Sequence, residues 1–230
     1  MMPPDLAALL ARLSTWVLPL LIAVPLHEAA HGYAAHLLGD QTAWRLGRVS
    51  FNPLKHIDPF GTVVLPLILF FGGGFLFGYA KPVPVNFRAL RHPRSGMVLV
   101  AAAGPVMNLA LACAAALLAH VSGRLPPFFD RWVALTLVNA VELNVVLAVF
   151  NLLPLPPLDG GRIAIGLLPR PLAMRLARVE PHGMLILIAL IFLLPLLSES
   201  FGLDLNVIGW LLGPPVNAII DFVFRVTGNA

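Results

Sequence analysis

The stretch "VPLHEAAHGYAAHLL", Val24 to Leu38, places two histidines and a glutamate inside a run that otherwise reads as the middle of a membrane helix. Ionisable groups are costly at that depth and persist where they find a partner or a wet cavity. His27 and His31 are four residues apart, so on an α-helix their side chains lie on one face about one turn apart. Two imidazoles so placed suit a tetrahedral zinc ion, and Glu28 reaches a water there as general base. The plainer alternative is a helix carrying two hydrogen-bonded histidines. Three such groups within five residues of a membrane span favour a site. His36 comes nine residues after His27 with no glycine turn before it, which excludes it as the last ligand of a three-histidine set. Its expected place is near the membrane interface.

The surroundings are those of a polytopic membrane protein. The chain has 230 residues, 59% hydrophobic and 11% charged, with mean hydropathy +0.88. A soluble domain carries more than twice that charge. Apolar runs cover Leu10–Leu38, Met97–His120, Trp132–Leu153 and Gly183–Leu197, and a weaker one, interrupted by polar residues and prolines, covers Leu203–Val226. The first run is too long for a cleavable signal peptide. The lone cysteine, Cys113, has no intramolecular disulfide partner. Most basic residues fall in the stretches 39–59, 78–95 and 159–182, which the positive-inside rule assigns to the cytoplasm. That placement accounts for the net charge of +4 without a nucleic-acid partner.

A catalytic zinc usually takes three protein ligands and leaves a position open. The candidates for the third are Glu142, Asp159, His56, Asp58 and His120. "FNLLPLPPLDGGR", Phe150 to Arg162, is the most distinctive context. Its prolines end the preceding helix. Gly160–Gly161 allow a sharp turn, and irregular backbone at membrane depth is tolerated only beside protein or a wet cavity. Asp159 is thus placed either as a carboxylate ligand or as a helix cap. Asn144 and Asn151, seven apart, share a helix face. Glu142 points away from them and is expected to pair with Arg131 or His120. His56 and Asp58 read as turn residues.

HEAAH in the first helix, "AAGPVMN" at Ala102–Asn108 and "NLLPLPPLDGG" closing the next helix together resemble the site-2 protease family of intramembrane zinc metalloproteases. The resemblance covers roughly residues 8–170. It implies His27, His31 and Asp159 as ligands of one Zn2+, Glu28 as catalytic base, and Asn108 and Asn151 lining the site. The Asn108 amide is then a candidate for the oxyanion or for substrate backbone, beside Asn144 and Asn151. The implied substrates are transmembrane or membrane-associated proteins, cut on the cytoplasmic side of the cell membrane. Many relatives carry a PDZ or CBS domain, for which this chain has no room.

The expected architecture is all-α and polytopic. It has five to six transmembrane helices in one domain of residues 1–230. Core helices span about 8–38, 97–120 and 132–153, an insert spans 39–96, and further helices span 183–197 and 203–226. Gly61–Gly78, with Pro66 within it, is expected to be re-entrant, because a full crossing there would put Asp159 on the wrong side for the histidines. Trp44–Phe51 and Tyr79–Phe87 are expected to form a small sheet whose free edge near Val83–Val85 takes up unwound substrate as an added strand. A metal transporter or an inactive scaffold of the same fold are the rival functions. A transporter predicts ligands spread along a path, often in repeated halves, and no repeat is present.

Overall fold

The computed structural model describes residues 4–64, 80–202 and 206–229, and all its regular structure is helical. Helix α1 spans Pro4–Leu37, α2 Pro93–Leu118, α3 Pro127–Asn151, α4 Asp159–Leu167, α5 Arg170–Ala177, α6 Gly183–Ile188, α7 Leu194–Ser200 and α8 Val207–Thr227. Among the described residues, five segments are long and apolar enough to cross a bilayer: Leu10–Leu37, Pro93–Val121, Phe129–Asn151, Arg170–Ser198 and Val207–Thr227. The protein is a multi-pass membrane protein. The helix boundaries follow local chemistry. Pro93 and Pro127 occupy first-turn positions where a missing N–H costs nothing. Gly39 follows α1 with φ 114°, the left-handed stop that glycine permits.

Helices α1, α2 and α3 pack against one another, and α8 packs on α2 and α3. Helices α2 and α3 share a core of Ala112, Ala115, Ala116, Val141, Val145 and Val149, closed by Val216 and Val223 of α8. Small side chains let helix backbones approach closely, which matters where lipid removes the hydrophobic drive for association. Large apolar side chains such as Leu21, Val106, Leu117 and Trp210 point outward, as they should toward acyl chains.

Topology brings the ends of the core helices together. The Arg91 N–H donates to the Leu38 carbonyl at 2.9 Å, so α2 starts on the side where α1 ends. α2 and α3 then run out and back, returning the end of α3 to that side. The insert therefore leaves and rejoins the core at one place. Within it, the Lys81 N–H donates to the His56 carbonyl at 2.8 Å, so the two ends of the stretch holding Gly61–Gly78 also meet. Residues 65–79, on which the re-entrant expectation falls, lie outside the described residues.

The expected sheet is absent among the described residues. Of the expected strand Trp44–Phe51, the first two residues end a helical turn, Thr42–Arg45, and the rest is turn and irregular backbone. Ala80–Asn86 is irregular, and its donors are spent singly: Lys81 N–H on His56, Val83 N–H on the Glu28 carboxylate at 2.7 Å, and Asn86 N–H on the Asp40 carboxylate at 2.6 Å. Pro82 and Pro84 have no N–H, and Arg48 takes the Lys81 and Pro82 carbonyls. A strand so depleted of ladder donors is tied down by side chains.

Candidate metal centre

The site forms where α1, α2 and the start of α4 meet. His27 Nε2 and His31 Nε2 lie 3.1 Å apart. Asp159 Oδ2 lies 3.3 Å from the first and 3.2 Å from the second. All three residues are buried, and their ligand atoms form the one group among the described residues placed to hold a metal ion.

Both rings are held from behind. His27 Nδ1 lies 2.5 Å from the Asn108 Oδ1, and His31 Nδ1 lies 2.7 Å from the Val100 carbonyl. Each acceptor requires the proton on Nδ1, which leaves a lone pair on Nε2 facing Asp159. Asn108 Nδ2 in turn donates to Asn144 Oδ1 at 2.9 Å, and Asn144 Nδ2 donates to the Ala140 carbonyl at 2.8 Å. The chain of bonds thus ties the orientation of His27 to α3.

That arrangement fits a cation. Two nitrogen lone pairs and a carboxylate oxygen converge with no proton between them, and repel unless a positive charge lies among them. Asp159 Oδ2 is buried without a hydrogen-bond partner of its own. The carboxylate is an anion at neutral pH, and a two-nitrogen, one-oxygen donor set suits zinc.

Glycine makes the geometry possible. A Cβ on Gly104 would lie 2.4 Å from His31 Nε2 and 2.6 Å from His27 Nε2. Val100, Gly104 and Asn108 recur every four residues, so one stripe of α2 supplies a carbonyl, a gap and an amide to the two imidazoles. That four-residue spacing of Val100, Gly104 and Asn108 is present in the sequence.

Asp159 arrives by a different route. Helix α3 ends at Asn151, the prolines carry the chain through irregular turns, and Asp159 is the first residue of α4. Asp159 is the helix's first residue and Leu158 its cap, which makes no side-chain bond. Gly160 and Gly161 do not take the left-handed conformation expected of a sharp turn. They are needed for space: a Cβ on Gly160 would lie 2.2 Å from the Leu152 carbonyl oxygen, and one on Gly161 2.3 Å from the Pro156 nitrogen.

Glu28 is partly exposed and opens on a cavity of ≈ 190 Å³ lined by Val24, His27, Ala80, Asn151, Leu187 and other apolar side chains. Asn151 is therefore on the wall, as expected. Asn108 and Asn144 are buried behind His27, at 0% and 3% exposure, and do not line the cavity. The remaining candidates lie apart from the metal group. His36 stacks on Trp44 with centroids 4.3 Å apart, His56 Nε2 bonds the Ser50 carbonyl, and Asp58 accepts from Phe60 and Gly61 N–H groups in a turn. His120 bonds the Thr227 carbonyl instead of Glu142, which is exposed and pairs with neither expected partner.

A multi-pass helical membrane protein with this buried donor set and an adjacent glutamate belongs to the class of zinc metalloproteases. Comparison with known proteins gives the family. Residues 127–194 match peptidase family M50. The chain is 39% identical over 222 residues to the "Putative zinc metalloprotease YwhC" of Bacillus subtilis, covering 91% of this chain and 89% of that one. It is 30% identical over 188 residues to the "Putative zinc metalloprotease Rip2" of Mycolicibacterium smegmatis, covering 79% and 67%. The Mycobacterium tuberculosis protein of the same name is 30% identical over 195 residues, covering 83% and 70%. No solved structure matches at a significant level. The chain belongs to peptidase family M50, the site-2 proteases, and is a zinc metalloprotease.

Proposed function

We propose that this protein hydrolyses peptide bonds of transmembrane or membrane-associated proteins, with zinc held by His27, His31 and Asp159 and with Glu28 as general base. The observation that carries the reading is the opening of Glu28 onto a cavity that His27 also lines, one residue from a buried ligand. Zinc supplies Lewis acidity, which activates water and polarises the scissile carbonyl. Glu28 takes the proton of the attacking water and returns it to the leaving nitrogen. The Val83 N–H holds one Glu28 oxygen at 2.7 Å and so fixes the carboxylate's position. Asn108 and Asn144 are positioning residues for His27, and Asn151 meets the substrate. The basic residues in 39–59, 78–95 and 159–182 support a site on the cytoplasmic side.

A helical substrate must unwind before its carbonyl is reachable, and backbone groups freed in lipid cost several kcal/mol each unless paired. Ala80–Asn86 offers them partners. The Val85 N–H and the Val83 and Val85 carbonyls make no hydrogen bond among the described residues. Substrate pairs with this segment near Val83–Val85 by addition of one strand, with no pre-formed sheet.

The test is cleavage of a model transmembrane substrate in proteoliposomes, with and without chelator. Glu28→Gln should stop cleavage and keep zinc near one per chain. His27→Ala, His31→Ala and Asp159→Ala should each lose zinc and activity together. Full zinc and normal turnover in Asp159→Ala would refute the ligand set.

A further inference from the structure

A second groove, of ≈ 340 Å³, shares no lining residue with the cavity beside Glu28. It runs between Phe87–Arg88, the first turns of α2, Ile165 of α4, and α5. We propose that it binds an anionic phospholipid, with the phosphate diester held by Arg88 and Arg170 and the acyl chains running past Met97, Ile165 and Met174 into the bilayer.

Charge complementarity selects the headgroup. Arg88, Arg94 and Arg170 line the groove. In the stretches that build it, 78–95 and 159–182, the only carboxylates are Asp159, which belongs to the metal centre, and Glu180, which sits 4.0 Å from Arg162. The Arg94 guanidinium is spent on structure. Its Nε donates to the Gly166 carbonyl at 2.7 Å and a terminal nitrogen donates to the Leu168 carbonyl, fixing α2 to the end of α4. The Arg88 and Arg170 side chains make no hydrogen bond or ion pair among the described residues. Two exposed guanidiniums without counter-ions face one groove, and guanidinium matches a phosphate diester by bidentate bonding.

The rest of the lining selects a lipid over a soluble anion. Arg170, Ala173, Met174 and Ala177 recur at the spacing of one α5 face, so the charge heads an otherwise apolar stripe. Met174 is 58% exposed and so is available to acyl chains. Both helices that flank the groove begin membrane-crossing segments there, at Pro93 and Arg170. The arginines therefore lie at headgroup depth and the apolar stripe leads inward. Basic pockets between membrane helices are the physical form of an anionic-lipid site.

Native mass spectrometry of the purified full chain tests this with dioleoylphosphatidylglycerol and dioleoylphosphatidylcholine offered in mixed micelles. Wild type should retain one phosphatidylglycerol in preference, and the preference should collapse in roughly 1 M salt. Arg88→Gln with Arg170→Gln should weaken retention by roughly tenfold or more, since each surface charge contributes about one logarithmic unit or slightly less. Ala173→Phe fills the groove without changing charge and should do the same. Arg124→Gln, in the opposite loop, should bind as wild type. Zinc content reports that each variant is folded. Unchanged phosphatidylglycerol retention in a zinc-loaded double variant, or in wild type at high salt, overturns the proposal. So does complete displacement by hexaglutamate or by glycerol 3-phosphate, which would make the occupant a peptide or a free phosphate.

Discussion

Gly104 sits so close beneath His27 and His31 that a Cβ there would fall within 2.6 Å of both Nε2 atoms. The interior of a membrane helix would otherwise gain from alanine, since glycine there costs about 0.5–1 kcal/mol. The gap outweighs that gain because both imidazoles must reach one point while α2 lies against them. Gly104→Ala should therefore leave the helix content intact by circular dichroism while zinc, measured after dialysis, drops to a small fraction. Activity should fall by about two orders of magnitude, the usual consequence of displacing catalytic groups by about 1 Å.

Asn108 acts through His27. Asn108→Ala removes the acceptor for Nδ1–H and frees the ring to turn or change tautomer. Zinc affinity should fall roughly 10–100-fold, as for other hydrogen-bond partners of metal-bound histidine. Asn108→Asp keeps an acceptor in place and should recover much of that affinity. Asn144→Ala should weaken zinc less, because it acts one bond further away. Competition with a chromophoric chelator measures all three, and equal affinities across the series would show that the amide chain plays no part.

Asp40, 1% exposed, accepts from the Thr42 hydroxyl and N–H with one oxygen and from the Asn86 N–H with the other. Burial raises its carboxyl, but these bonds outweigh burial and hold it below the ordinary 3.8. A folded value below the unfolded one means stability that is fully present above about pH 4 and is lost as pH falls through the folded value. Asp40→Asn should thus lower the midpoint of thermal unfolding by a constant amount at neutral pH, and the gap to wild type should narrow below pH 4. It should also slow cleavage, since Asn86 anchors the segment whose Val83 N–H holds Glu28.

Cysteines placed singly in a Cys113→Ala background test the topology. Positions in 39–59, 80–92 and 159–169 should all label from one side of sealed vesicles, and positions in 122–126 from the other. Labelling of 39–59 and 80–92 from opposite sides would contradict the Leu38–Arg91 hydrogen bond.

The sequence makes the metal group legible because the requirements are local. His27, Glu28 and His31 lie within five residues of one helix, and Asp159 stands beside two glycines after a helix that prolines must end. The crossings are legible for the same reason: each holds an apolar run, unbroken in the first three and interrupted by prolines and polar residues in the last. What joins these pieces is less visible. The Asn108 amide looks equally fit for an oxyanion or a neighbour, and only its 2.5 Å approach to His27 separates the two. Pro82 and Pro84 suit the edge of a sheet, which makes Val83 look like part of a strand, yet its own N–H goes to Glu28. Gly160 and Gly161 look like a turn, whereas the constraint on them is the nearness of Leu152 and Pro156.

The bond between Leu38 and Arg91 makes the intervening chain a bight drawn closed at its neck. A loop tied in that way adds closure entropy only logarithmically with length, and doubling it costs about 0.6 kcal/mol. The packing of α1 against α2 therefore depends only weakly on the length of chain between them. Transplanting the stretch between Asp40 and Asn86 from a relative, with those two anchors kept, should change which peptides are cut while leaving the core and its zinc undisturbed.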